Sequence, residues 1–145
     1  MAETEAQRAA RYAAKDVVDK LGVRPGDAVL LAGTKRDADL ARRIRAKAGR
    51  PAARASEPAD VVVFWPKHRA EVTSALRSMR ARLVPSGGIW VITAKRDKAR
   101  AGRPYLGNDV IALGLAAGLV DNTVCSVSDD DSAIRFVIRK SDRHP

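Results

Sequence analysis

The stretch Asp27-Ala28-Val29-Leu30-Leu31-Ala32-Gly33-Thr34-Lys35-Arg36 decides how the rest of this chain is read. Ala28 to Ala32 is an unbroken apolar run, the pattern of a strand covered on both faces, as in the middle of a parallel sheet. Pro25-Gly26-Asp27 turns the chain into it, and Gly33 ends it with two cations close behind. A nucleotide-binding α/β fold bends its backbone around a phosphate at this point, with a glycine-rich turn. Here that turn holds a single glycine.

Outward from this strand the chain alternates. Upstream, Ala6, Ala10, Ala13, Val17 and Leu21 recur at helical spacing, which predicts a helix over 5–21 that Gly22 stops. Downstream, Leu40, Ile44 and Ala48 give one apolar stripe to a helix over 37–47, ended by Gly49 and Pro51. No pattern demands a strand near Ala52 to Ala55. Asp60 to Trp65 is β-branched and aromatic and reads as a second strand closed by Pro66. Val72, Leu76, Met79 and Leu83 step helically over 68–83, then Pro85-Ser86-Gly87-Gly88 turns into a third strand, Ile89 to Thr93.

The loop from Lys95 to Pro104 is too charged to pack and is the natural lid. Asn108 is placed to cap a helix through Ala117, with Val110, Ile111, Leu113 and Leu115 buried. Val120–Val127 and Ala133–Arg139 read as strands whose short connection requires an antiparallel hairpin. This order predicts a three-layer α/β/α sandwich, a mostly parallel Rossmann-like sheet of class I methyltransferase type with a C-terminal antiparallel hairpin. We expect one domain over 1–145, with loose ends at about 1–4 and 141–145.

Composition bounds the rest. Hydrophobic residues make up 46% but aromatic ones only 4%, so Ala, Val, Leu and Ile must build the core around Trp65, Trp90, Phe64 and Phe136. The lone Cys125 excludes an intrachain disulfide framework, and no apolar run reaches the roughly 18 residues of a membrane span. A cytoplasmic protein is expected. The 27 Lys and Arg against 17 Asp and Glu give +10, a balance that draws anionic metabolites, nucleic acid or acidic partners.

Gly114-Leu115-Ala116-Ala117-Gly118-Leu119-Val120-Asp121-Asn122-Thr123-Val124-Cys125-Ser126-Val127, continuing through Ile134-Arg135-Phe136-Val137-Ile138-Arg139, resembles the bacterial family known as domain of unknown function 3052. The likeness extends back through Leu83-Val84-Pro85-Ser86-Gly87-Gly88-Ile89-Trp90-Val91 and Lys95, and to Leu21-Gly22-Val23-Arg24-Pro25-Gly26. The resemblance implies a small methyltransferase-like α/β domain and supplies no activity. Thr93-Ala94-Lys95 stands where members usually show Trp-Pro-Lys, and Asp129-Asp130-Asp131-Ser132 replaces a tighter, Trp-containing acidic turn.

In an open parallel sheet, ligands bind beyond the carboxyl ends of the strands. Lys35 and Arg36 follow the first strand, Lys67, His68 and Arg69 the second, and Lys95, Arg96, Lys98 and Arg100 the third. Parallel strands gather these turns on one edge, so Lys35, Arg36, Lys67, His68, Lys95 and Arg96 are the expected anion-binding residues. The ligand is an anionic small molecule or phosphate-bearing compound, with Asp129–Asp131 expected at the other end of the sheet. This favours a non-enzymatic binding or regulatory domain with no metal.

A divergent S-adenosylmethionine-dependent methyltransferase is the alternative, with Gly33 against the cofactor. Against it stand the single glycine, Glu57 as the nearest acid for a ribose, and two cations beside a positively charged sulfonium. Weakly selective nucleic-acid binding is the third reading. It would use Arg42, Arg43, Arg45 and Lys47 or Arg77, Arg80 and Arg82, although Tyr105 is the sole aromatic placed for stacking. His68 has no evident carboxylate partner for acid–base work, Cys125 reads as a packed strand residue, and oligomeric state is not legible.

Overall fold

The computed structural model describes residues 4, 16–33, 37–54, 56–99 and 104–143. Five strands, β1 (Val29–Gly33), β2 (Ala59–Trp65), β3 (Leu83–Ala94), β4 (Leu119–Ser126) and β5 (Asp131–Ile138), form one sheet in the order β1-β2-β3-β5-β4. β1, β2 and β3 are mutually parallel, and β5 runs antiparallel to both of its neighbours. Four strands therefore point one way and one points back. The hairpin is present, but its second strand slots between β3 and β4.

Alternation along the strands separates two cores. Val61, Val63, Trp65, Trp90, Ile92 and Ala133 face α1 (Val17–Lys20) and α2 (Ala38–Ala48), packing on Val18, Leu40 and Ile44. Val62, Phe64, Ile89, Val91 and Phe136 face α3 (Val72–Arg82) and α4 (Asp109–Ala116), packing on Val72, Leu76 and Val110. The result is the expected three layers.

The helices begin and end as their residues dictate. Asp16 caps α1 by accepting from the Val18 N–H (2.8 Å), and Asp37 caps α2 through Leu40 (3.1 Å). Gly49 ends α2 in the left-handed region that only glycine enters without strain. The Trp90 indole donates to the Leu21 carbonyl at 2.9 Å and pins the end of α1 to the middle of the sheet. Of the helix expected over 5–21, only α1 lies within the described residues.

Several expectations need correction. β3 starts six residues earlier than predicted, because Pro85-Ser86-Gly87-Gly88 is an irregularity inside a strand, with no turn in front of it. Leu83 pairs with Ala59 and Gly88 with Val61, so five steps on β3 span two on β2. In α4, Leu115 is half exposed and Ile111 and Leu113 are only partly buried. Four such positions wrap the helix, so the sheet takes Val110 and the small face of Gly114. Asn108 makes no side-chain cap, and 140–142 form a 3-10 turn tied down by the Arg143 Nε–H bond to Ile138 O (2.9 Å).

The connection from β1 to β2 departs most from a regular α/β unit. Two parallel steps in the same direction with right-handed crossovers would put both helices on one face. Here α2 and α3 lie on opposite faces, as though the step out of β1 were bound for its outer side. The chain does reach that side: Ala53 donates to the Val29 carbonyl at 2.7 Å, then the Glu57 N–H bond to Arg54 O turns it away. Among the described residues an outer strand is reduced to this one backbone bond, and β1 is the edge of the sheet.

Candidate functional site

Because β1, β2 and β3 are parallel, Gly33, Trp65 and Ala94 end on one edge of the sheet. The turns carrying Lys67 and His68, and Lys95 and Arg96, open there. Lys35 and Arg36 lie outside the described residues.

Lys67 and His68 stand at the start of the turn into α3. Both of their backbone N–H groups donate to one oxygen of Glu71, His68 at 3.0 Å. The His68 N–H above all holds the Glu71 carboxyl below its usual range. A resident carboxylate thus fills the donor-rich helix start that a ligand anion would otherwise find. What remains for a ligand is the exposed side chains of Lys67 and His68.

The third turn is engaged. The Lys95 ammonium donates to Ser126 Oγ at 2.9 Å, and its backbone N–H donates to the Asp130 carbonyl at 2.7 Å. Lys98 lies 3.9 Å from the Asp130 carboxylate. Arg96 stacks over the Tyr105 ring, 5.3 Å from its centroid, and donates to the phenol oxygen at 3.3 Å. Asp129–Asp131 therefore sit on the same edge as the cations, which corrects the expectation of opposite ends. The physical reason is strand direction: β4 finishes and β5 begins at the carboxyl edge. The first half of the expected lid, 95–99, is held against this hairpin, and 100–103 lie outside the described residues.

Two described groups that a nucleoside sulfonium cofactor would use are committed elsewhere, while 34–36 of the turn lie outside the described residues. Gly33 has φ +113°, and a Cβ there would stand 2.2 Å from the Trp65 carbonyl oxygen, so the neighbouring strand demands this glycine. Glu57, the nearest acid, gives both oxygens to Arg50 (2.7 Å) and also accepts from the Arg54 N–H. That guanidinium lowers the Glu57 carboxyl below its ordinary value.

The two basic helix faces are also largely spent. On α2, Arg42 pairs with Asp39, Arg43 with Asp16 (2.7 Å) and Lys47 with Asp19 (3.2 Å). On α3, Arg77 donates to Ala116 O (3.0 Å), Arg80 to Gly118 O (3.2 Å) and Arg82 to Arg54 O (2.6 Å). Thr73 Oγ adds a bond to Leu113 O (3.2 Å). These arginines satisfy the carbonyls left over at the end of α4 and in the 54–57 turn. Sequence spacing made them look like free phosphate contacts, since backbone carbonyls leave no trace in a charge pattern.

The family described as "Protein of unknown function (DUF3052)" matches residues 18–140. The chain belongs to the DUF3052 family. No curated protein matches it. Among solved structures, this DUF3052 chain is similar to an Aquifex aeolicus SAM-dependent methyltransferase, at 14% identity and TM-score 0.59, over 85% of this chain and 88% of that one. It is also similar to the N-methyltransferase NodS from Bradyrhizobium japonicum, at 15% identity and TM-score 0.56, over 93% and 98%. A TehB-like SAM-dependent methyltransferase from Corynebacterium glutamicum shares 13% identity at TM-score 0.54, over 93% and 95%. At this identity the likeness is one of fold, and the DUF3052 fold is methyltransferase-like.

Proposed function

We propose that this DUF3052 chain is a cytosolic, non-catalytic binding module that takes a small phosphate-bearing anion at the carboxyl edge of its sheet. The observation supporting the reading is the common direction of β1, β2 and β3, each followed by a pair of cations. Lys67 and His68 belong to the half of that edge farther from the hairpin acids, and Lys35 and Arg36 follow β1 in sequence. Lys95 and Arg96, held by Ser126 and Tyr105, form its wall. Methyl transfer is supported by the fold alone and is opposed by the commitments of Gly33 and Glu57. Nucleic-acid binding is opposed by the carbonyl-bound arginines of α3.

Calorimetric titration at low salt tests the proposal. Inorganic phosphate and pyrophosphate should bind, pyrophosphate more tightly, and a Lys67→Ala/His68→Ala double variant should lose about tenfold in affinity. S-adenosylmethionine and S-adenosylhomocysteine should give no heat. Micromolar binding of either would replace the proposal with the methyltransferase reading, and silence toward the phosphates would end it.

A further inference from the structure

At the opposite end of the sheet, where β2 and β3 begin, the bulge at Val84–Gly87 stands away from β2 and opens a cleft of about 230 Å³. The end of α1 supplies Lys20, the loop after it Arg24, the turn into β1 Asp27, the start of β2 Asp60, and the sheet itself Trp90 and Arg135. Arg135 is the unusual member. It points from β5 onto the α1 face and is partly buried. Its guanidinium lies over Gly88, where a Cβ would stand 2.4 Å from Nε and 2.6 Å from Cζ. Gly88 is the slot that lets a charged group cross the sheet surface.

Among the described residues no carboxylate or carbonyl takes a bond from Arg135, and the charge acting on it is the like charge of Arg143. Burial lowers its pKa for want of a partner. The two acids of the cleft are occupied: Asp60 accepts from the Ala28 N–H (2.8 Å) and Asp27 from the Arg24 N–H (2.9 Å). Neither pairs with Arg135. A partly desolvated guanidinium without an acceptor is unfavourable as it stands, and a planar oxyanion offers it two parallel bonds. Lys20 and Arg24 add charge of the same sign at the rim.

We propose that this cleft is a second binding site, separate from the carboxyl edge, for a small oxyanion, a carboxylate or a phosphate, that docks on the Arg135 guanidinium. The volume admits a metabolite-sized ligand and not a polymer.

The two tryptophans make the test selective. Trp90 lines the cleft, whereas Trp65 ends β2 at the other edge. In ¹⁵N-labelled full-length protein at fixed ionic strength, sodium phosphate and sodium succinate should be titrated separately. The Trp90 indole and Arg135 Nε–H signals should shift saturably with one of the two ions, which identifies the oxyanion class. Arg135→Gln should weaken that response about tenfold or more. Gly88→Ala, which displaces the guanidinium while keeping its charge, should weaken it too. Lys67→Ala should leave it unchanged. Arg135→Lys, which keeps charge and length but loses the two-pronged geometry, should stay folded and bind more weakly. The proposal is overturned if Trp90 stays silent to millimolar concentrations of both ions. It is also overturned if the shift survives Arg135→Gln, or if only Trp65 and the Lys67–His68 amides respond, an outcome that leaves the carboxyl-edge reading standing.

Discussion

Phe136→Ala should cost about 4 kcal/mol of stability, among the largest losses expected from one side chain here. Phe136 is fully buried in the middle of the α3–α4 face, in a core with few large pieces to close over a gap. It also sets the identity of the residue above it. A Cβ on Gly114 of α4 would stand 2.1 Å from the Phe136 ring carbon Cε1, so the ring fills the space an alanine would take. Helix propensity alone favours Gly114→Ala by about 1 kcal/mol. Overpacking against a buried ring costs about 1–3 kcal/mol and should win, leaving the variant less stable. In a Phe136→Ala background the same substitution should become neutral or stabilising. Urea midpoints for the four proteins would read this coupling, and simple additivity would contradict the contact.

Gly33→Ala should cost about 3 kcal/mol, from two causes that do not relax together. At φ +113° an L-residue is strained by about 1–3 kcal/mol. Its Cβ would also meet a carbonyl oxygen of the paired strand at 2.2 Å. Backbone cannot rotate aside as a side chain can, so relief means parting β1 from β2 at the Gly33–Trp65 pair. Gly22 (φ +73°) and Gly26 (φ +88°) are the controls, with nothing within 4 Å of an added Cβ. Alanine there should cost only about 1 kcal/mol. Thermal unfolding would separate the cases, and a Gly33→Ala variant within about 1 kcal/mol of the parent would refute the argument.

Most of the scaffold was legible because it rests on local pattern. Apolar runs at Val29–Leu31, Val61–Trp65 and Ile89–Ile92 are short, bounded by turn residues and rich in β-branched and aromatic side chains, which marks them as covered strands, and Leu40, Ile44 and Ala48 share one side of a helix. The order in the sheet was less so. Nothing local tells Ala133–Ile138 to enter between β3 and β4, and that insertion turns Asp129–Asp131 toward the cations. Pro85-Ser86-Gly87-Gly88 has the residues of a turn, and the same residues build a bulge when strand lies on both sides of them.

The candidate site was legible only as charge. Lys67, His68, Lys95 and Arg96 announce themselves, but their partners are a serine, a tyrosine, a backbone carbonyl and the helix-start acid Glu71, none of which is distinctive in sequence. Arg135 is inconspicuous for the opposite reason. In Ile134-Arg135-Phe136 it reads as the solvated member of an alternating strand, and only the missing side chain of Gly88, forty-seven positions away, shows where it lies.

The two helical layers are fastened by different chemistry, and acid should tell them apart. α1 and α2 are joined through carboxylates, Asp16 to Arg43 and Asp19 to Lys47, and Glu57 fastens the chain beyond α2 to Arg50. The Val18 N–H and then Arg43 depress the Asp16 carboxyl, as Arg50 does that of Glu57. A depressed carboxyl contributes stability above its unfolded value, near 4, that drains away as pH falls through the folded one. α3 and α4 are joined mainly by guanidinium and hydroxyl bonds to carbonyl oxygens, which have no proton to gain. As pH falls below about 4, amide exchange should therefore rise first in α1, α2 and the Lys67–Glu71 turn, whose carboxyl is depressed as well, while the contact between α3 and α4 keeps its protection, so that the molecule comes apart from one side.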